Sequence, residues 1–183
     1  MVLKVSENPP AVWPPETSIG DFAGTWWVAH TKSRNEKALA WQLQTQGISY
    51  FLPMHWKVSR RQRRTFRSLL PLFTGYMFFC GDDEDRVEVL RTNRVASIIT
   101  VNDQEGFLRD LLPIERLLIQ GADLKPHKYI EAGRRCRVIA GPLMGTEGIV
   151  SQTLKQTRLV LQVDMLGQAT SVEIETDFIE VLD

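Results

Sequence analysis

The period of hydrophobic and polar positions changes several times along the chain, and each change marks an element. Residues 25–31 (TWWVAHT) are aromatic, β-branched and free of charge, the composition of a strand. Ser33 follows, with Glu36 three positions on. That spacing predicts a capping box, each side chain taking one free backbone N–H of a new helix. The helix is expected over 34–46, with Ala38, Trp41 and Leu39 or Leu43 on its apolar side and Gly47 as its stop. A second strand is expected over 48–58, where Pro53 cannot donate to a ladder and so requires an edge or a bulge. Residues 59–64 (SRRQRR) form a polar hairpin tip, and 65–67 begin the return. Residues 75–80 (GYMFFC) predict a buried strand and 95–101 another. Between them, 82–90 predict a short helix with its acids at the end the macrodipole favours. Over 104–120, Phe107, Leu111, Ile114 and Leu118 recur at helical spacing, and Pro113 is expected to kink or split that helix.

Beyond residue 120 the texture changes. Residues 121–132, with Gly121, Pro126 and several polar positions, read as a linker. Residues 133–183 show no helical period. They hold short alternating runs at 136–139, 148–151, 158–163 and 171–174, several of them separated by glycine turns, which predicts a small barrel of about five strands. Residues 1–24 carry Pro9, Pro10, Pro14 and Pro15 among polar positions and read as a disordered tail. The predicted fold class is therefore α+β. A mixed or antiparallel sheet flanked by helices spans 25–120, and a small all-β domain follows the linker.

Composition narrows the function. The 183 residues are 43% hydrophobic and 24% charged, enough for a core without disulfides. Cys80 and Cys136 have no CxxC spacing and are expected as reduced core residues of a cytoplasmic protein. No apolar run reaches the roughly 18 residues that span a bilayer, and no secretion signal opens the chain, so no membrane partner is expected. Twenty-two cations balance 22 acids, which argues against a protein that coats nucleic acid. The charge is nonetheless clustered. Lys57, Arg60, Arg61, Arg63, Arg64 and Arg67 lie in one stretch without an acid, and Asp82, Asp83, Glu84, Asp85 and Glu88 face only Arg86. His30, His55 and His127 are scattered, and no phosphate-loop, dinucleotide, zinc-protease or nucleophile-elbow motif occurs. No enzyme activity, metal or cofactor is expected.

Three stretches resemble the NusG family. TWWVAHT and the helix bearing Glu36 and Lys37 are similar to its opening aromatic strand and first helix. LPLFTGYMFF (70–79) is similar to its phenylalanine, proline, glycine, tyrosine strand, with Phe73, Gly75 and Tyr76 present and Thr74 in place of the proline. GRRCRVIAGPLMGTEGIV (133–150) is similar to its KOW motif at Gly133, Val138, Gly141, Pro142, Gly145, Gly148 and Val150. The resemblance runs from 25 to 183. It implies an SH3-like KOW barrel after the N-terminal domain. It also implies a monomeric transcription elongation, antitermination or termination factor whose partner is RNA polymerase.

The resemblance also assigns residues. The clamp helices of the polymerase would dock on an apolar depression at Trp26 or Trp27, Phe73, Tyr76 and Phe78, aromatic side chains being frequent hot spots. Arg91, Thr92, Asn93 and Arg94 match the place where family members touch the opposite side of the cleft. The six cations of 57–67, flanked by Trp56 and Phe66, match a variable hairpin beside upstream or non-template DNA, able to hold phosphates and stack a base. Met165, Leu166, Gly167 and Gln168 match the surface that meets a small-subunit ribosomal protein or the termination factor Rho, with Leu166 replacing a commonly aromatic residue. The N-terminal segment, Thr74 and the basic hairpin lean toward an operon-specific paralogue of the RfaH kind. One such relative folds its C-terminal domain as a helical hairpin, whereas the glycine turns and alternating strands here predict a barrel. Because KOW barrels also occur in ribosomal proteins, a ribosome- or RNA-binding protein without a polymerase role is the alternative.

Overall fold

The structure, a computed structural model, describes residues 7–130, 133–153 and 155–182. Residues 1–6 of the expected tail, 131–132 of the expected linker, and 154 and 183 of the expected barrel lie outside the described residues. The chain divides into two compact units, Met1–Gln104 and Glu105–Asp183.

In the first unit the elements run β1 (Val12–Trp13), β2 (Thr25–Thr31), α1 (Glu36–Gln46), β3 (Ser49–Phe51), β4 (Met54–Arg61), β5 (Arg64–Pro71), β6 (Tyr76–Gly81), α2 (Asp83–Arg91) and β7 (Val95–Thr100). Five strands form an antiparallel sheet in the order β1-β3-β6-β2-β7, and β4 and β5 pair separately as a two-stranded ribbon. Alternation divides the sheet residues between two faces. Ala29, Tyr50, Met77 and Phe79 pack with Leu39, Ala40 and Leu43 of α1 and with Val89 of α2. The register places Trp26 opposite Cys80, Val28 opposite Phe78 and His30 opposite Tyr76, so these side chains share the other face.

Three expectations change here. The capping box at Ser33 and Glu36 does not form: Asn35 is the N-cap of α1 and makes no side-chain cap. Glu36 is instead buried, and its Oε1 accepts the Gly75 N–H at 2.7 Å. The strand expected over 48–58 is two strands. β3 ends at Phe51, Leu52 N–H donates to the Ala11 carbonyl, and the chain leaves the sheet at Pro53 to enter the ribbon. The expected tail is also structured from residue 7 onward. β1 pairs with β3, Ile19 is buried in a 3-10 turn (Ile19–Asp21), and Val12, Trp13 and Phe22 supply apolar contacts among the prolines. An edge strand tolerates such prolines because half of its backbone needs no partner in the sheet.

α1 does stop where expected. Gly47 takes φ 72, its N–H donates to Gln44, and Ile48 N–H donates to Leu43 O. α2 carries a capping box that the sequence reading did not specify. Asp82 accepts the Asp85 N–H at 2.9 Å and Asp85 accepts the Asp82 N–H at 3.0 Å.

The second unit holds α3 (Gln104–Ile119, beginning at the boundary residue), β8 (Lys125–His127), β9 (Arg134–Val138), β10 (Glu147–Gln152), β11 (Thr157–Val163), β12 (Gln168–Glu173) and β13 (Ile179–Val181). Its antiparallel sheet runs β13-β9-β10-β11-β12-β8, one strand more than expected. The extra strand is β8, inside the expected linker. Leu124 is buried, and Pro126 sits at the sheet edge, where a missing N–H costs least. α3 runs unbroken through Pro113, with Phe107 and Leu111 buried before it and Ile114 and Leu117 after it. Gly148 does not serve a turn. It lies within β10, where a Cβ would come within 2.5 Å of the Val160 carbonyl.

Candidate protein and nucleic-acid interfaces

The sheet face that carries Trp26 and Tyr76 is an aromatic cluster. The Phe73 and Phe78 rings lie 5.9 Å apart, Phe51 and Phe78 6.3 Å, and His30 stacks on Tyr76 at 5.3 Å. The structure thus brings together four of the five aromatics expected to dock a partner. It does not leave them open. Trp26 is 4% exposed, Phe73 2% and Phe78 0%, each packed among neighbouring rings and core residues, and only Tyr76 is partly exposed. Trp27 falls on the opposite face by strand alternation, under the Arg86 guanidinium at 5.4 Å. The accessible part of the aromatic face is therefore its Tyr76–His30 end.

Glu36 fixes the turn into Tyr76 through Gly75, whose φ of 84 suits glycine. The polar turn after α2 is tied to the loop between β2 and α1. Lys32 Nζ donates to Asn93 Oδ1 at 2.6 Å, and Lys32 N–H donates to Arg94 O. Arg94 donates to Gln42 and Asn35, each at 3.0 Å, so it positions that loop and is not a free contact. Thr92 Oγ1 donates to Val89 O, and Arg91 pairs with Glu88. Arg91 and Asn93 are the exposed members of the turn.

The basic hairpin is resolved by its register. Lys57 faces Ser68, Ser59 faces Phe66 and Arg61 faces Arg64, which places Lys57, Arg61, Arg64 and Phe66 on one side of the ribbon. Trp56, Val58, Arg60 and Arg67 occupy the other, where the Arg67 guanidinium lies over the Trp56 ring at 5.1 Å. Gln62 and Arg63 form the turn with φ 48 and 63, the left-handed pair that a two-residue hairpin needs. Among the described residues none of the six cations forms an ion pair, and Phe66 is 42% exposed beside three of them.

The NusG family model, described as transcription termination factor nusG, matches residues 24–115, half of the chain. The chain belongs to the NusG family. NusG-family proteins are non-enzymatic transcription factors, and a general role in transcription elongation comes with membership. Among solved structures, a chain of the MjSpt4:Spt5 complex in conformation B is 16% identical and covers 86% of this chain and 97% of that chain, with a TM-score of 0.28, too low to add to the assignment. No curated protein matches.

In this NusG-family chain Met165 and Leu166 lie in a 3-10 turn, Asp164–Leu166, closed by Gly167 at φ 58, and Gln168 begins β12. Met165 is exposed, whereas Leu166 and Gln168 are half-buried. Sequence reasoning missed the Glu36–Gly75 link and the exposure of Trp41, which it placed on the helix's apolar side. Trp41 instead lines a groove of about 690 Å³ with Ala38, Leu69, Leu70 and Pro71. The signal for Glu36 was its place three residues after Ser33, but spacing alone could not tell a cap from a long-range acceptor. Among the described residues no helix is long and apolar enough to cross a membrane, and no three His, Cys, Asp or Glu side chains gather as a metal site.

Proposed function

We propose that this NusG-family protein acts as an elongation and antitermination factor that docks on the clamp helices of RNA polymerase and holds nucleic acid on its β4–β5 hairpin. The hairpin carries the reading. Six cations, no acid, no ion pair among the described residues and two directly opposed arginines form a surface that repels itself until an anion neutralises it. The exposed Phe66 beside Lys57, Arg61 and Arg64 adds a stacking surface, which favours a single strand such as non-template DNA. Tyr76 and His30 offer an aromatic patch for the clamp helices, with Arg91 and Asn93 as polar contacts toward the opposite side of the cleft. The C-terminal unit is read as a KOW barrel that takes a second protein, a ribosomal protein or Rho, at the exposed Met165 turn. By favouring the closed polymerase, such docking modulates pausing and termination.

The decisive experiment measures binding to core polymerase and transcription through a pause. Wild-type protein should bind and change pause duration, and Tyr76→Ala should weaken binding. Tyr76 is the informative position, because truncating buried Phe73 would also cost about 3–5 kcal/mol of core stability. No binding by the wild type, or full binding by Tyr76→Ala, would overturn the reading in favour of a ribosome- or RNA-binding role.

A further inference from the structure

β5 pairs only with β4, so its other edge has no neighbouring strand. The register tells which backbone groups that edge presents. Arg61 faces Arg64 across the two-residue turn at Gln62 and Arg63, and such a turn closes on a hydrogen-bonded pair. Bonded and non-bonded pairs then alternate along the ribbon. Arg64, Phe66, Ser68 and Leu70 therefore turn their N–H and C=O toward β4, and Thr65, Arg67 and Leu69 turn theirs outward. Two observations agree with that parity. Leu69 O accepts a hydrogen bond from Lys37 Nζ of α1. Pro71, which has no N–H to offer β4, also falls on an outward position. Among the described residues the outward backbone groups of Thr65 and Arg67 have no hydrogen-bond partner.

Toward its root the edge runs into the Trp41 groove. Ser68, Leu69, Leu70 and Pro71 all line that groove, and four consecutive residues do so along a strand's edge, since a face presents only every second one. Ala38 and the 42% exposed Trp41 form the wall on α1. Arg34 lines the groove too and forms no ion pair among the described residues. Of the two acids there, Glu36 accepts the Gly75 N–H, and Glu7 is also engaged.

We propose that the β5 edge takes an extended acidic peptide of a partner protein as a third strand of the ribbon, with the peptide's apolar end in the Trp41 groove. The alternating N–H and C=O groups of Thr65 and Arg67 match another peptide backbone, whereas a nucleic acid has no such ladder. Charge selects the strand. Arg64 and Arg67 flank the edge from its two sides and Arg34 stands at the groove, so carboxylates are favoured. The same cations disfavour a second copy of this chain, whose own β5 would bring arginines against arginines. The inference does not rest on the ribbon holding nucleic acid.

The test titrates the full chain into a fluorescein-labelled synthetic peptide of Glu-Val repeats followed by Leu-Phe, read by anisotropy. Thr65→Pro removes one outward N–H and no charge, at a parity the strand already fills with Pro71, and should weaken binding about two- to tenfold, the worth of one hydrogen bond. Trp41→Ala should weaken it about five- to thirtyfold, and should leave a peptide lacking the Leu-Phe end unaffected. Two N-methylated peptides, one for each alternate set of residues, test the pairing on unaltered protein and serve if a variant folds poorly. Only one set faces β5, so one version should bind about tenfold more weakly and the other nearly as the parent does. Equal affinity of the two versions would mean that the edge only gathers anions, and would overturn the strand. No binding of the parent peptide, or equal binding when lysine replaces its glutamates, would overturn it as well.

Discussion

The hairpin makes the sharpest quantitative prediction, because its register limits which cations one strand of nucleic acid can touch. A single backbone lies along one side of the ribbon, which offers Lys57, Arg61 and Arg64, with Arg63 at the turn. Each phosphate contact to a single strand contributes about 0.7 to the logarithmic salt slope, so four contacts give a slope near 2.8 and a loss of about fiftyfold between 50 and 200 mM salt. Changing Lys57, Arg61 and Arg64 together to Ala should reduce the slope to about 0.7 and the same loss to about threefold. The paired change of Arg60 and Arg67 to Ala should leave the slope nearly intact, since those side chains occupy the other side and Arg67 is engaged over Trp56. The assay is fluorescence anisotropy of a labelled single-stranded oligonucleotide titrated with the full chain across that salt range. Loss of binding would not reflect unfolding, because removing the opposed Arg61 and Arg64 pair relieves like-charge repulsion. An unchanged slope in the triple variant, or equal losses in both sets, would refute the one-sided assignment.

Three further outcomes follow from the packing. Glu36→Ala leaves the Gly75 N–H without its acceptor and should lower the stability of the first unit by about 1–3 kcal/mol, whereas Glu36→Gln, which keeps an acceptor oxygen, should cost less; urea unfolding compares them. Gly148→Ala forces a Cβ against the Val160 carbonyl and should cost up to about 3 kcal/mol, read as a lower midpoint for the C-terminal sheet. Burial pushes the Tyr50 phenol up to about 12, against a smaller opposing effect of the Gln44 hydrogen bond. Below pH 10 the phenol is neutral in both states and contributes nothing to the pH dependence. Between pH 10 and about 12 only the unfolded chain ionises, so stability should fall by about 2–3 kcal/mol relative to Tyr50→Phe, measured by denaturant melts at stepped pH.

Features that depend on near neighbours were legible in the sequence. The strand at 25–31, the stop at Gly47, the acid-led α2, the unbroken run of hairpin cations and the alternating strands of the C-terminal sheet all follow from residue type and short-range period. Tertiary structure decided what long-range pairing decides. Glu36 had a local partner available at Ser33 and took a distant one at Gly75, because burial rewards a buried acceptor that satisfies a backbone N–H. Pro126 and the Pro9–Pro15 region read as breakers, yet Lys125–His127 and Val12–Trp13 became edge strands once a partner edge was beside them. The aromatic residues were recognisable as a set, but which were buried followed from register and from the Phe22 ring stacked on Trp26. The hairpin's basic character needed only its composition. That Lys57, Arg61 and Arg64 stand together around Phe66, with Arg60 and Arg67 turned away, needed the pairing of β4 with β5, since a one-residue slip would have exchanged the two sides.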